Sequence, residues 1–332
     1  MVKYICEKCG KEFTQKGHYT THINKKNPCV YENNLLHVNE IVHTPSTSIS
    51  NVVQVRNQGL DKFYTIPMYA KHCIDTVFQL YNKDSFDMII EPSAGNGSFF
   101  NQIHHSNLVG IDIAPESNNI HKQDFFSYLP PSESTNILVV GNPPFGRVSS
   151  LAIQFFNHAA QFCSTIAFII PKTFRRISVQ NKLNTSFHIV YDEDVPDKPC
   201  SFYPKMSVKC CFQIWEKRDT LREIITLDTK HPDWTFLPYG PKDVNNQPTP
   251  PEGADFAMRA YGGKIGQIVT ENLQDLRPKS WHWIKVTTNK NELIHLFSLL
   301  DYSNSTNTAR QNSMGRGELV SLYSNFIDSI PK

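Results

Sequence analysis

The run ILVVGNPPFG, residues 137–146, constrains this chain more than any other stretch. Ile137 to Val140 are apolar without a break, too few for a helix, and read as a parallel strand buried on both faces. Pro143 and Pro144 then end the strand, because proline has no N–H to give a ladder and fixes its own backbone angle. Such an exit is rigid, and rigidity at a strand end asks for a purpose. Three further runs have the same character: Met88 to Ile90, Leu108 to Ile111 and Ile166 to Ile170. Leu151, Phe155, Ala159 and Phe162 recur at helical spacing between the last two strands. Ile66, Tyr69, Cys73 and Val77 do so ahead of the first, with Thr65 as the expected cap and Pro67 in the first turn. Residues 187–191 and 207–215 can add a terminal pair of strands. Strands alternating with helices predict an α/β, Rossmann-like, doubly wound open sheet.

The ends of those strands carry the chemistry. IIEPSAGNGSFF runs a strand through Glu91 and Ser93 into a turn at Gly95 and Gly97 and then toward a helix, a shape that lets backbone approach a ligand. Asp112 closes the next strand, where a carboxylate can accept from both hydroxyls of a ribose. Asp124 follows in HKQDFF, placed for the amino group of a nucleoside, with Phe125 available to stack. Together these acids outline one nucleoside pocket.

The first thirty residues are a separate case. Cys6 and Cys9 form a Cys-x2-Cys knuckle, and His22 follows after twelve residues, the separation of a hairpin-plus-helix zinc finger. Cys29 is the expected fourth ligand. His18, one helical turn before His22, is the competitor for that place. Phe13 and Tyr19 fall where the small core of a finger would lie, and without metal so short a segment cannot fold. Over residues 4–29 the segment resembles the zinc-finger family. Six lysines against two glutamates give it a surplus of four positive charges, while the rest of the chain carries a deficit of two. A basic appendage of this kind suits phosphate.

From DKFYT (61–65) to IIPKTF (169–174) the chain resembles class I methyltransferases of the Asn-Pro-Pro-Phe/Tyr type, a family that includes N6-adenine methyltransferases of DNA and RNA. The resemblance implies S-adenosyl-L-methionine as cofactor and an amino group as target. Asn142 and the Pro143 carbonyl would accept the two N–H bonds of an adenine amino group, with Phe145 stacked on the extruded base. Phe63 and Thr65 would touch the methionine end of the cofactor, and Glu91, Ser93, Gly95, Gly97, Asp112, Asp124 and Phe125 would line its cleft. Lys172, Arg175 and Arg176 are candidates for phosphate contact or for an ordinary exposed loop. The motif order favours DNA. RNA, a protein glutamine amide, and an inactive methyltransferase fold serving a zinc-finger binding protein are the alternatives.

The expected organisation is a zinc finger at 1–30 holding a structural Zn2+, a linker at 31–60, a catalytic domain at 61–217 and a small mixed lobe at 218–332. The Pro-rich stretch 238–255 reads as an exposed loop. At 39% hydrophobic and 19% charged, the composition excludes a disordered or fibrous chain. No apolar run approaches the ~20 residues of a bilayer span, and the cysteine pattern suits a reducing compartment. An intracellular protein, cytoplasmic or nuclear, with a nucleic-acid partner and no membrane partner is therefore expected.

Overall fold

A computed structural model describes residues 4–5, 12–24 and 63–330. The chain divides into two compact units, residues 1–57 and 58–332.

In the first unit, β1 (Tyr4–Ile5) pairs antiparallel with β2 (Glu12–Phe13), and α1 (Lys16–Ile23) follows. Tyr4 stacks on Tyr19 at 5.8 Å, and Phe13 meets His22 at 4.9 Å. His22 is thus half-buried beside Phe13, while His18 one turn earlier is exposed. Of the expected metal ligands only His22 is described; Cys6, Cys9 and Cys29 lie outside the described residues. Among the described residues no group of three or more His, Cys, Asp or Glu side chains could hold a metal ion.

The second unit opens with β3 (Tyr64–Thr65) and α2 (Pro67–Leu80). Thr65 lies in the strand instead of capping the helix; Ile66 occupies the cap and Pro67 starts the first turn. Then come β4 (Met88–Glu91), β5 (Leu108–Asp112), β6 (His121–Lys122), β7 (Ile137–Gly141), α3 (Ser150–Ala159), β8 (Thr165–Pro171), α4 (Ile177–Gln180), β9 (Phe187–Asp194), β10 (Phe202–Tyr203) and β11 (Cys210–Lys217). β3 pairs with β10. The main sheet has the order β6-β5-β4-β7-β8-β11-β9, parallel from β6 to β8, with β11 antiparallel to both its neighbours.

Side-chain alternation explains why these strands read as unbroken apolar runs. Ile137, Val139, Ile166, Phe168 and Ile170 enter a core beneath Phe155 and Phe156 of α3. Leu138, Val140, Ala167 and Ile169 enter a second core beneath Tyr69, Cys73 and Val77 of α2. Period two along a strand with both faces covered leaves no polar position. The five described cysteines are all free thiols.

The chain winds from β4 outward through β5 to β6, returns to the middle at β7, and continues the other way to β8. The order reverses between β4 and β7, and in open α/β sheets ligands bind at the carboxyl ends of strands at such a switch. These two ends carry Glu91 to Gly97 and Asn142 to Phe145.

The remaining elements are β12 (Trp234–Phe236), β13 (Phe256–Arg259), β14 (Ile268–Val269), β15 (Trp281–Val286), α5 (Lys290–Leu299) and α6 (Arg316–Ser329). They form a four-stranded antiparallel sheet, β12-β15-β13-β14, packed on the two helices around Trp234, Phe256, Phe297 and Tyr323. Residues 238–255 hold no helix or strand. Among the described residues no helix is long and apolar enough to cross a membrane.

Candidate active site

After β4 the backbone turns through Gly95 (φ +49°) and Gly97 (φ +82°), left-handed conformations that glycine adopts without strain. The helix expected after this turn does not form: the segment before β5 holds only a short 3-10 turn, Phe100–Gln102. A side chain at Gly95 would come within 2.9 Å of the Tyr64 ring. Gly95 is therefore small for Tyr64 to lie on it, a role the sequence did not reveal. The Tyr64 hydroxyl bonds Glu116, and Glu116 N donates to Gly95 O at 2.9 Å. Tyr64 and Glu116 thus brace the glycine turn. The only signal for Tyr64 was its place between Phe63 and Thr65.

Asp112 ties the same turn from below. Its Oδ2 accepts from Gly95 N at 2.8 Å and its Oδ1 from Ala114 N at 2.7 Å. A carboxylate has about four acceptor sites, so each oxygen keeps capacity for a ribose hydroxyl. Gln123 N donates to Asp112 O at 3.0 Å, which sets Asp124 alongside. Asp124 is exposed, and its Oδ1 caps the one-turn helix Phe125–Ser127 through Phe126 N at 3.0 Å. Phe125 is corrected by the structure: it is 1% exposed and packs into the core against Phe155 and His158. The turn capped by Asp124 sends Phe125 inward and leaves the neighbouring ring, Phe126, exposed.

Glu91 is fully buried beneath the turn, with Oε2 accepting from Phe100 N at 2.7 Å. Burial pushes its carboxyl well above the ordinary range; the Phe100 N–H opposes this and Asp112 adds to it. Glu91 supports the turn from inside and has no open face for a ligand. Neutral in the fold and ionised in the unfolded chain above its ordinary value, it makes stability fall as pH rises toward its raised folded value. Glu91→Gln is expected to flatten that slope, read from thermal melts of the two proteins between about pH 5 and about pH 9.

Across the switch point stands Asn142. Its Nδ2 donates to Phe63 O at 3.1 Å, and its main-chain O accepts from Ser93 Oγ at 3.1 Å. The amide is oriented by the first bond, and its Oδ1 has no partner among the described residues. Pro143 is buried. Phe145 is half-buried at the sheet edge, where it touches both cores. Its carbonyl receives Leu151 N at 3.2 Å and Ala152 N at 3.3 Å, which anchors the turn to α3. Beyond it Val148 has φ +53° and is 83% exposed. A β-branched residue in that conformation is strained, and strain of this kind gathers at functional turns.

Phe63 is half-buried, and Thr65 is 3% exposed with its hydroxyl unpartnered. A buried hydroxyl without a partner costs about 1–3 kcal/mol, which a ligand would relieve. The structure therefore gathers Phe63, Thr65, Ser93, Gly95, Asp112, Asp124 and Asn142 along one carboxyl edge. Ser93 acts there through the Asn142 backbone.

Lys172, Arg175 and Arg176 are not an exposed phosphate grip. Lys172 pairs with Asp194, and Arg175 with Asp192 and Asp194, the latter at 2.6 Å. Arg176 pairs with Glu318 of α6 and donates to Ser313 Oγ at 3.1 Å. All three tie the end of β8 to neighbouring elements.

No family model matches the chain, and no curated protein matches its sequence. Several solved structures are similar to about half of it. The 23S rRNA methyltransferase ErmE shares 14% identity over 50% of this chain and 72% of its own, with a TM-score of 0.34. The magnesium protoporphyrin IX methyltransferase ChlM of Synechocystis PCC 6803, with bound SAM, shares 10% over 46% and 82%, TM-score 0.32. The plantazolicin methyltransferase BpumL, in complex with SAH, shares 13% over 46% and 84%, TM-score 0.32. Likeness at this level says nothing of substrate, and the chain's own edge geometry carries the reading that follows.

Proposed function

We propose that this chain is an S-adenosylmethionine-dependent methyltransferase that acts on the N6 amino group of adenine in nucleic acid. One observation carries the reading: at the switch point Asn142, leading into a proline-stiffened turn, donates from Nδ2 to Phe63 O and keeps Oδ1 as an acceptor, on the same carboxyl edge of the sheet as Asp112. The residues present fit the cofactor. Asp112 keeps spare acceptor capacity, Asp124 is exposed, and the Thr65 hydroxyl lacks a partner. When bound, S-adenosylmethionine supplies a sulfonium methyl, an electrophile that needs no metal of its own.

An aromatic amino group is a weak nucleophile because its lone pair is delocalised into the ring. Asn142 Oδ1 and the Pro143 carbonyl accept its two N–H bonds and draw the nitrogen toward a tetrahedral shape, which frees the lone pair. Phe145, fixed by the α3 anchor, stacks on the extruded base. The same set suits adenine in DNA or RNA, with DNA favoured by motif order. Labelled methyl offered to duplex DNA, single-stranded DNA, RNA and a glutamine-bearing protein tests this. Label in one of the nucleic acids supports the proposal, and label in the protein alone overturns it.

The first unit is proposed to bind Zn2+ through Cys6, Cys9, His22 and Cys29. The hairpin β1–β2 followed by α1 has the order such a module needs, and zinc would supply the folding energy that thirty residues cannot. Chelation is expected to abolish the helical circular dichroism of an isolated 1–30 peptide, and readdition of Zn2+ to restore it.

A further inference from the structure

Resting on the nucleic-acid reading above, we infer that the C-terminal lobe carries a second contact for the substrate strand, a surface of Tyr261, Lys264 and Arg310 that takes an unpaired base and its flanking phosphates. The segment 259–316 holds eight lysines and arginines against four acids, a basic surplus inside a unit whose remainder is acidic. Lys264 and Arg310 are exposed and have no carboxylate partner among the described residues. Tyr261 is 47% exposed.

The two loops that bear them are fixed to each other. Gly262 N donates to Asn312 O at 3.0 Å, Met314 N to Ala260 O at 2.9 Å, and Tyr261 bridges Ser313. Arg259 lies over Trp281 at 4.9 Å and donates to Tyr261 O at 3.0 Å, so a third cation without a carboxylate partner backs the tyrosine. The surface also adjoins the sheet edge. Lys209 N donates to Ala309 O at 2.8 Å, and Lys209 O accepts from Lys172 N at the end of β8. Lys209 Nζ reaches Thr306 O and Asn312 Oδ1 at 3.1 and 2.8 Å. Lys209 precedes β11, which lies two strands from β7, about 10 Å across the sheet at the usual strand spacing, and β7 ends at Gly141, just before Asn142.

An exposed aromatic ring on one loop, with cations lacking a carboxylate partner on that loop and on the loop joined to it, is the composition of a single-strand platform: the ring stacks on a base that has left its partner, and the cations meet phosphates. Exposed Asn304 and Gln311 on the same loop offer amides to base edges. A base presented to Asn142 must leave its stack, so a nearby grip on unpaired strand serves the reaction.

The test uses the full chain and bromouracil-bearing single strands of DNA and RNA, with duplex and a glutamine-bearing peptide as further arms. Ultraviolet cross-linking is expected to label the peptides containing Tyr261 or Arg310. Tyr261→Ala is expected to weaken single-strand affinity roughly tenfold. Lys264→Ala with Arg310→Ala is expected to lower the slope of log affinity against log salt by about 1.4. S-adenosylhomocysteine binding, unchanged in these variants, reports that they are folded. Wild-type affinity and salt slope in the variants, cross-links confined to residues 1–30, or patch-dependent binding of the peptide alone would overturn the inference. Patch-dependent strand binding without methyl transfer would sink the activity and leave this surface standing; transfer with unaltered binding in the variants would do the reverse.

Discussion

Asn142→Ala is expected to lower methyl transfer by roughly 10²- to 10³-fold, the loss typical of removing one aimed hydrogen-bonding group from a reacting centre. The variant deletes the Oδ1 acceptor and the Nδ2 bond to Phe63 O. The second loss alone is worth about 1 kcal/mol of stability, too little to unfold a unit with two cores on its main sheet. Cofactor affinity should hold, because the Asp112 ties are untouched. Single-turnover rates beside calorimetric S-adenosylhomocysteine binding separate the two effects. A variant that kept both would remove Asn142 from the chemistry.

Asp112→Ala should act on the other half of the site. It strips Gly95 N and Ala114 N of their acceptor and removes the expected seat of the ribose. Each hydrogen bond to a charged group is worth about 1.5–3 kcal/mol, so the loosened turn and lost ribose contacts should weaken cofactor binding about 100-fold or more. Calorimetric titration with S-adenosylhomocysteine reads this directly. Transfer at saturating cofactor should fall much less than in Asn142→Ala, since the turn bearing Asn142 is anchored separately through Phe145 and α3. Affinity unchanged from wild type would show that the cofactor lies elsewhere.

The frame of the second unit was legible because its parallel strands are covered on both faces, which makes Met88 to Ile90, Ile137 to Val140 and Ile166 to Ile170 unmistakable apolar runs. The reversed strand β11 between β8 and β9 could not be ordered from the sequence, since pairing partners leave no mark on a single strand's pattern. Local turn geometry was the second blind spot. HKQDFF offers two adjacent phenylalanines, and only the cap made by Asp124 decides that Phe125 turns inward. Charge pairing was the third. Lys172, Arg175 and Arg176 look like a basic patch along the chain, yet their partners lie 17 to 142 residues away. The brace of Tyr64 and Glu116, 52 residues apart, was hidden for the same reason.

The C-terminal lobe was legible only as a mixture of strands and helices. Its core gathers Trp234, Phe256, Phe297 and Tyr323 from β12, β13, α5 and α6, and the many turns between them erase any sustained period. The joining of its 306–312 loop to Lys209 depends on tertiary hydrogen bonds alone.

Nucleoside mass spectrometry of a nucleic acid treated with the protein and S-adenosylmethionine bearing a trideuterated methyl decides whether the adenine amino group is the methyl acceptor. N6-(trideuteromethyl)adenine is expected with the wild-type chain and is nearly absent with Asn142→Ala. Deuterated methyl on a ring nitrogen, a ribose oxygen or cytosine carbon 5, with the adenine amino group unmodified, would contradict it.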